Sequence, residues 1–292
     1  MPVGPPVQDR LQDCTDPQTR QRALDRAAEA VRAGKVVVLP TDTVYGVGAD
    51  AFDVVAVAMV LAAKHRGREM PPPVLVPDPR TVDGLAVDVP MYARILMRQF
   101  WPGPLTLVLR SQPSLQWDLG ETNGTVALRM PDDEVALSLL AEVGPMAVTS
   151  ANVTGRPAAT TGREAVDQLG GAVAVYLDDG PRTGGLPSTI LDCTGEEPVV
   201  LRTGALSVEQ LRAVLGTTGL LDPVEDVQDE APASEEDESS VSTEDDAAPP
   251  AQEQTSPPAG SASPGQGTAD LVGSVSPSGV PVPAAAFRTL RR

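Results

Sequence analysis

Histidine and cysteine are scarce in this sequence of 292 residues, and their scarcity excludes several kinds of site. His65 is the only histidine, so one chain cannot build a zinc site with two or more histidines, or a pair of catalytic histidines. Cys14 and Cys193 lie far apart and form no CxxC motif, which is typical of a protein with reduced cysteines. We therefore expect a cytoplasmic protein.

Long apolar runs are also absent. No stretch approaches 18 uninterrupted apolar residues, so we expect no membrane span. The N-terminal sequence MPVGPPVQDRLQDC has no basic start followed by an apolar run, so we expect no signal peptide.

Basic residues are few, and the acidic excess is greatest near the C-terminus. The chain has 40 Asp and Glu against 22 Lys and Arg, a net charge of −18. Residues 217–292 hold 14 acidic and 3 basic side chains, a balance of −11, which leaves 26 and 19, or −7, in residues 1–216. Too few apolar residues follow 216 to offset the entropy of ordering, so we predict a disordered tail over 217–292. We assign 1–15 to a flexible N-terminus and 16–216 to one folded domain.

Short apolar runs alternate with helical patterns along residues 16–216. Asp16 followed by Pro17 is typical of a helix start, and the KVVVL run at 35–39 has no polar alternation, which indicates a strand buried on both faces. The alternation predicts an α/β fold with a mostly parallel or mixed sheet. The other predicted helices are 54–64, 92–99, 134–142, 163–169 and one opened by Ser207; the other strands are 73–76, 105–109, 125–130, 146–148, 172–177, 189–192 and 198–201.

Polar residues follow two of these strands, as PTDTVYGVG at 40–48 and TSAN at 149–152. Each turn alone is explained by Thr, Ser, Asp and Asn acting as caps and turn formers. A third segment, KHRGR at 64–68, ends a predicted helix; its cations would suit either phosphate oxygens or the helix dipole. Together, the three segments predict a polar pocket outside the strand ends.

Other phosphate-binding patterns are weak or absent. The loop GPRTGGLPST at 180–189 could form an anion nest from successive backbone N–H groups. The sequence has neither a Walker A motif nor a Rossmann fingerprint, so a bound nucleotide would need another architecture. Arg129 and Arg202 each end an apolar strand and point either to solvent or into a site. We interpret the WPGPLT turn at 101–106 as structural, with Trp101 covering the core.

Seven motifs in order, PTDTVYGVGADA, KHR with PPPVLV, WPGPLT, VALRMP, TSANVTG, PSTILD and VLRTGAL, resemble the YrdC-type threonylcarbamoyl-AMP synthase family over about residues 20–215. The resemblance implies a twisted mixed sheet, parallel and antiparallel, with flanking helices around a concave cavity. It also implies that L-threonine, bicarbonate or CO2, and ATP react to give threonylcarbamoyl-AMP and pyrophosphate. A separate transferase complex would then use the product to modify tRNA.

The resemblance also implies roles for individual residues. Lys64 and Arg66 would hold the ATP phosphates as the catalytic pair, and Arg129 would bind the threonine carboxylate together with Thr43 and Ser150. Mg2+ is expected with ATP, without a metal site of the protein's own. Some family members have a histidine where this chain reads PVLV at 73–76, so that contact is missing or replaced. The expected nucleotide-binding residues are Lys64, Arg66, Thr125, Asn152, Thr160, Ser188 and Arg202.

Two other functions are compatible with the same motifs. One is an RNA-binding module of this fold that makes no adenylate; the −7 balance of residues 1–216 argues against strong nonspecific nucleic-acid binding and leaves weak tRNA binding open. The other is a carbamoyl-adenylate domain of hydrogenase maturation. Such domains accompany acylphosphatase and zinc-finger segments, and this chain has neither.

Overall fold

The fold is built on one mixed sheet, seen in a computed structural model that describes residues 7–183 and 185–221. Its strands are β1 (Leu11–Asp13), β2 (Val37–Leu39), β3 (Gly46–Asp50), β4 (Val74–Leu75), β5 (Ala86–Val87), β6 (Leu105–Ser111), β7 (Thr125–Arg129), β8 (Met146–Ser150), β9 (Val175–Asp178), β10 (Thr189–Asp192) and β11 (Val199–Arg202).

Side-chain caps set the starts of most helices. Asp16, Asp53, Asp133 and Thr161 each accept a hydrogen bond from a backbone N–H of the first turn, and Ser207 forms a capping box with its helix. The sequence predictions of these helix starts are therefore confirmed to within one residue. The helices are α1 (Pro17–Arg32), α2 (Val54–Ala63), α3 (Val82–Leu85), α4 (Met91–Phe100), α5 (Glu134–Val143), α6 (Gly162–Leu169) and α7 (Val208–Leu215).

The sheet order is β1-β9-β2-β3-β8-β4-β7-β6-β10-β11, with β5 paired to β6. Four pairings are parallel: β1 with β9, β9 with β2, β4 with β7, and β6 with β10. The remaining pairings are antiparallel. The predicted fold class, a mixed sheet with flanking helices, is confirmed.

Helices cover both faces of the sheet around β2. Leu39 packs with α1 and α5, whereas Val38 packs with α2 and α6. Successive residues of a strand point to opposite faces, so a strand covered on both sides needs apolar side chains at every position. This explains why the KVVVL run lacks alternation. A third apolar cluster joins α4 and α7 to β6 and β10, and Trp101 lies in it, 7% exposed.

The structure differs from the predicted boundaries at both ends of the domain. Residues 7–10 form a 3-10 turn and β1 adds an edge strand to β9, so the fold begins before residue 16; three strand residues give too short a pattern to detect. At the other end, Leu221 N donates to Pro198 O (3.0 Å) and Leu221 O accepts from Val200 N (3.2 Å), so the fold continues past 216. The predicted disorder of 222–292 lies outside the described residues.

A further difference concerns the PTDTVYGVG segment, which we predicted to be a turn. Its last three residues, Gly46–Gly48, begin β3 and pair with β8. Glycine weakens the sequence signal of a strand because it lacks a side chain to alternate. Within residues 7–183 and 185–221, no helix is long and apolar enough to cross a membrane.

Gly48 gives a test of how closely β3 and β8 approach. A Cβ on Gly48 would lie 2.5 Å from Val148 Cγ2 and 2.6 Å from Ala147 O, so an added methyl group must displace β8. We expect Gly48→Ala to lower the free energy of unfolding by about 1–3 kcal/mol, measured by urea titration. Gly84→Ala is the control, because nothing lies within 4 Å of its Cβ position. Equal stability of the two variants would contradict this close packing.

Candidate active site

The turn between β2 and β3, residues 40–45, is held together by threonine hydroxyls. Thr41 Oγ1 donates to Val44 O (2.6 Å) and lies 3.0 Å from Thr43 Oγ1, and both threonines are buried. Because β3 pairs antiparallel with β8, with Gly46 opposite Ser150, the turn lies beside the TSAN segment. The prediction that these two polar segments come together is confirmed.

Arg129, the last residue of β7, reaches into this turn. Its Nη1 donates to Thr43 Oγ1 (3.1 Å), its Nη2 to Asp42 Oδ1 (2.5 Å) and its Nε to Gly103 O (3.0 Å). A guanidinium has five N–H groups, so these bonds leave two for a ligand, and a planar pair of donors suits a carboxylate. The structure thus brings Arg129 and Thr43 together, as a shared binding role requires.

Asp42 is a part of this site that the sequence analysis missed. Its Oδ1 also accepts from Asp132 N (3.1 Å), so the carboxylate holds both Arg129 and the chain that follows β7. The side chains of Arg129 and Asp42 are 8% and 13% exposed. Burial lowers the pKa of Arg129, and Asp42 opposes that effect. The signal in the sequence was an aspartate three residues after the end of a strand buried on both faces.

The end of α2 directs Lys64 and Arg66 to the same place. His65 has a φ of 53°, its N–H donates to Ala62 O (3.1 Å), and Arg66 N donates to Leu61 O (3.0 Å). These two bonds form a Schellman motif, in which glycine usually occupies the position of His65. The motif reverses the chain within the KHR segment, so the side chains on either side of His65 both approach the end of β8.

Lys64 is buried in the TSAN segment. Its Nζ lies 2.5 Å from Ser150 O, 3.3 Å from Ser150 Oγ, 2.9 Å from Asn152 O and 2.7 Å from Asn152 Oδ1. Burial, and secondly the charge of Arg66, lower the pKa of Lys64 to about 7, whereas four surrounding oxygens favour the charged form. Arg66 Nη1 donates to Thr149 Oγ1 (3.1 Å). Lys64, Arg66, Ser150 and Asn152 therefore form one cluster.

A second cluster lies where β10 begins. Ser188 Oγ is 2.8 Å from Thr106 Oγ1, and Arg202 Nη2 donates to Ser188 O (2.9 Å). Thr189 N donates to Pro104 O (3.0 Å), which fastens this cluster to the turn whose Gly103 O binds Arg129. Trp101 Nε1 donates to Leu105 O (2.8 Å) within the same turn, which confirms its structural role.

Thr125 and Thr160 are bonded to near neighbours. Thr125 Oγ1 donates to Thr122 O (2.7 Å), and Thr160 Oγ1 donates to Glu164 Oε2 (3.1 Å). Thr160 follows Ala159, whose carbonyl accepts from Tyr45 N (2.9 Å), so it lies close to the 40–45 turn. Thr125 begins the strand that ends at Arg129, about 13 Å away along the strand. The nucleotide role of both threonines stays a prediction.

The loop after β9 contains a buried ion-pair network. Arg182 donates from Nη1 to Asp133 Oδ2 (3.1 Å) and from Nη2 to Asp179 Oδ2 (3.0 Å), and it lies over the ring of Tyr45. The Tyr45 hydroxyl lies 2.9 Å from Asp178 Oδ1. Burial raises the pKa of Asp133. Apart from the Arg182–Asp179 pair, these contacts join residues far apart in sequence, and no local pattern predicted them.

Two features of the described chain bear on ligands. Among residues 7–183 and 185–221, no group of three or more His, Cys, Asp or Glu side chains could hold a metal ion, so these residues do not fit a metal site of the protein's own. A cavity of about 270 Å³ opens at the connection between β6 and β7. It is lined by Ser111, Gln112, Pro113, Leu115, Trp117, Asp118, Leu119, Gly120, Thr122 and Gly124, none of which is a predicted site residue.

Removing the Asp42 carboxylate tests its role as the counter-ion of Arg129. Asp42→Ala would leave a buried guanidinium unpaired, so we expect the free energy of unfolding to fall by about 3–5 kcal/mol in urea titrations at pH 7. Asp83→Ala is the control, because its ion pair with Arg94 is half-exposed and should contribute less than about 1 kcal/mol. A loss for Asp42→Ala no greater than that of the control would contradict this role.

Known proteins with similar sequences belong to the family that the motifs resemble. The Sua5/YciO/YrdC family model, described as "Telomere recombination", matches residues 29–204. A putative threonylcarbamoyl-AMP synthase of Mycobacterium tuberculosis is 55% identical over 204 residues, which are 70% of this chain and 94% of that protein. The threonylcarbamoyl-AMP synthase of Bacillus subtilis is 39% identical over 225 residues, 76% of this chain and 65% of that protein.

The fold has the same relatives. The crystal structure of P. abyssi Sua5 complexed with L-threonine matches with a TM-score of 0.68 and 34% identity, covering 72% of this chain and 62% of that one. The family model spans more than half of the chain. Motifs that carry the resemblance lie at the 40–45 turn, at the end of α2 and at the ends of β7 and β8. The chain therefore belongs to the Sua5/YciO/YrdC family.

Proposed function

We propose that this chain is an L-threonylcarbamoyladenylate synthase, which converts L-threonine, bicarbonate or CO2, and ATP into threonylcarbamoyl-AMP and pyrophosphate. The observation that carries the proposal is the contact between the two halves of the site. The 40–45 turn, which binds Arg129, lies against the end of β8, where the Lys64 cluster forms. An amino-acid site and a phosphate site would then share one boundary. The names of the two relatives support the same activity.

The threonine site is proposed around Arg129. Its two remaining N–H groups would take the carboxylate, with Thr43 and Ser150 beside it. The L-threonine named with P. abyssi Sua5 supports this assignment. The buried Arg129–Asp42 pair keeps the guanidinium in one orientation, which reduces the entropy lost when a ligand binds.

The nucleotide site is proposed on the other side of the TSAN segment. Arg66 would carry the positive charge for the phosphates, and the Ser188–Arg202 cluster, which is fastened to the turn that binds Arg129, would complete the site. Mg2+ would arrive bound to ATP, because the described residues hold no cluster of His, Cys, Asp or Glu side chains that could bind it on its own. The remaining nucleotide contacts are assigned by family resemblance to Thr125, Asn152 and Thr160.

The proposed reaction needs no nucleophile from the protein. The threonine amine adds to CO2 and loses a proton, giving a carbamate. A carbamate oxygen then attacks the α-phosphorus, and the bond to the β-phosphate breaks to release pyrophosphate. Cys14 and Cys193 are both buried, and burial raises the pKa of each thiol, that of Cys14 to about 12. Positioning and charge neutralisation would supply the rate acceleration.

In the cell, this protein would supply a substrate for tRNA modification. The product would pass to a separate transferase complex that modifies tRNA, and the site of action would be the cytoplasm. The chain itself would bind tRNA only weakly.

Threonine dependence is the central test of this function. Purified full-length protein should release pyrophosphate from ATP when threonine and bicarbonate are both present, because the carbamate is the attacking group. The measurement is pyrophosphate release with each substrate omitted in turn. Equal release without threonine would contradict the proposal, and salt-sensitive tRNA binding without threonine-dependent release would favour the RNA-binding module.

Arg129→Lys tests the carboxylate site. Lysine keeps the charge beside Asp42 but loses the planar pair of donors, so we expect kcat/KM for threonine to fall at least ~10-fold, about 1.4 kcal/mol, with KM for ATP unchanged. Arg94→Lys, in a half-exposed ion pair, is the matched control. Wild-type kinetics for Arg129→Lys would show that the threonine site lies elsewhere.

A further inference from the structure

Lys64 contacts the TSAN segment through both its side chain and its backbone. Four oxygens of Ser150 and Asn152 lie within 3.3 Å of Nζ. The Lys64 carbonyl accepts from Thr154 N (3.0 Å) and from Thr154 Oγ1 (2.9 Å). Lys64 is therefore joined to Ser150, the last residue of β8, and to Asn152 and Thr154 in the segment that follows.

These contacts leave no donor of Lys64 available to a phosphate group. An ammonium has three N–H groups, and four protein oxygens already compete for them. Lys64 is 2% exposed, so a phosphate oxygen could reach Nζ only after the segment had opened. No carboxylate is among the four partners.

The structure assigns Lys64 the role of a positioning residue that acts through Ser150 and Asn152 and makes no direct contact with ATP. This inference rests on the proposed function and revises the phosphate-binding role that family resemblance gives to Lys64. The K-x-R spacing then divides two tasks. Lys64 organises the segment after β8, and Arg66, beyond the Schellman turn, is the phosphate-binding cation.

The conformation of Asn152 shows how the positioning works. Its Oδ1 accepts from Lys64 Nζ and from Ser150 Oγ (2.6 Å), so its Nδ2 turns to Arg156 O (2.6 Å) and Val153 O (3.2 Å). Lys64 thus fixes which end of the amide faces each neighbour. Without the ammonium, four oxygens that are buried or partly buried would lose a donor, and the segment would have to rearrange.

The shape of this site also requires lysine. A compact ammonium fits among four oxygens that converge on one point. A guanidinium is planar and larger, so arginine would satisfy a phosphate equally well but could not occupy this space. The two roles for Lys64 therefore predict opposite results for Lys64→Arg.

Amine labelling of the unmodified protein tests the inference without any mutation. The chain has only two lysines, and Lys35 is exposed, so Lys35 is an internal control. A pKa of about 7 would make an accessible Lys64 highly reactive at pH 8. We expect peptide mass spectrometry to find Lys35 modified and Lys64 unmodified, with and without ATP. Modification of Lys64 in the absence of ATP would overturn the inference, and protection by ATP would identify a phosphate ligand.

Variants provide the second test. We expect Lys64→Met and Lys64→Arg to lower kcat/KM for ATP by a similar factor of at least ~10 while remaining folded by circular dichroism, with Lys35→Met unchanged. Adding Asn152→Ala to Lys64→Met should give no further loss, because both changes disrupt one unit. Near-normal KM for ATP in Lys64→Arg, or multiplicative losses in the double variant, would overturn the inference. If wild type and Lys35→Met both release no pyrophosphate, the proposed function fails, and the labelling result still decides the role of Lys64.

Discussion

The close antiparallel pairing of β3 with β8 is the contact on which the rest of the site depends. It is possible because Gly46 and Gly48 have no side chains, and Val148 occupies the space where their Cβ atoms would lie. The pairing continues beyond the strands, since Ala151 N donates to Tyr45 O (2.7 Å). The turn before β3 and the segment after β8 are consequently held side by side, and the Arg129–Thr43 and Lys64 contacts of the site form at the two sides of that pairing.

Two buried cations in the site are stabilised in different ways. Arg129 has a carboxylate partner in Asp42, so the pair carries no net charge. Lys64 has four neutral oxygens instead, which solvate the ammonium form and oppose the effect of burial on its pKa. A buried charge without a counter-ion acts at longer range than a neutral pair, because little water screens it. When charged, Lys64 would therefore attract a polyphosphate electrostatically, although Arg66 would make the contact, while the Arg129–Asp42 pair would favour a ligand of matching shape.

The sequence predicts those parts of the fold that depend on local signals. Capping residues such as Asp53 mark helix starts, and the uninterrupted KVVVL run predicts a strand covered on both faces. Local signals fail for β3, because its glycines are a sequence signal of turns, and for β1, because it is only three residues long. They also fail for contacts made at long range. The partners of Lys64 lie 86 and 88 positions away, so the sequence identifies Lys64 as a site residue but cannot show which way it points.

A reaction whose nucleophile comes from its own substrate makes unusual demands on the protein. No side chain has to be activated as a nucleophile, so a chain with one histidine and two buried cysteines loses nothing by their scarcity. Catalysis must then come from holding two substrates in one geometry, which a flexible site cannot do. Residues that touch no substrate become as important as those that do, because Asp42 fixes Arg129 and Lys64 fixes Ser150 and Asn152. The buried polar contacts behind the binding surface would therefore contribute to the rate by holding those residues in one geometry.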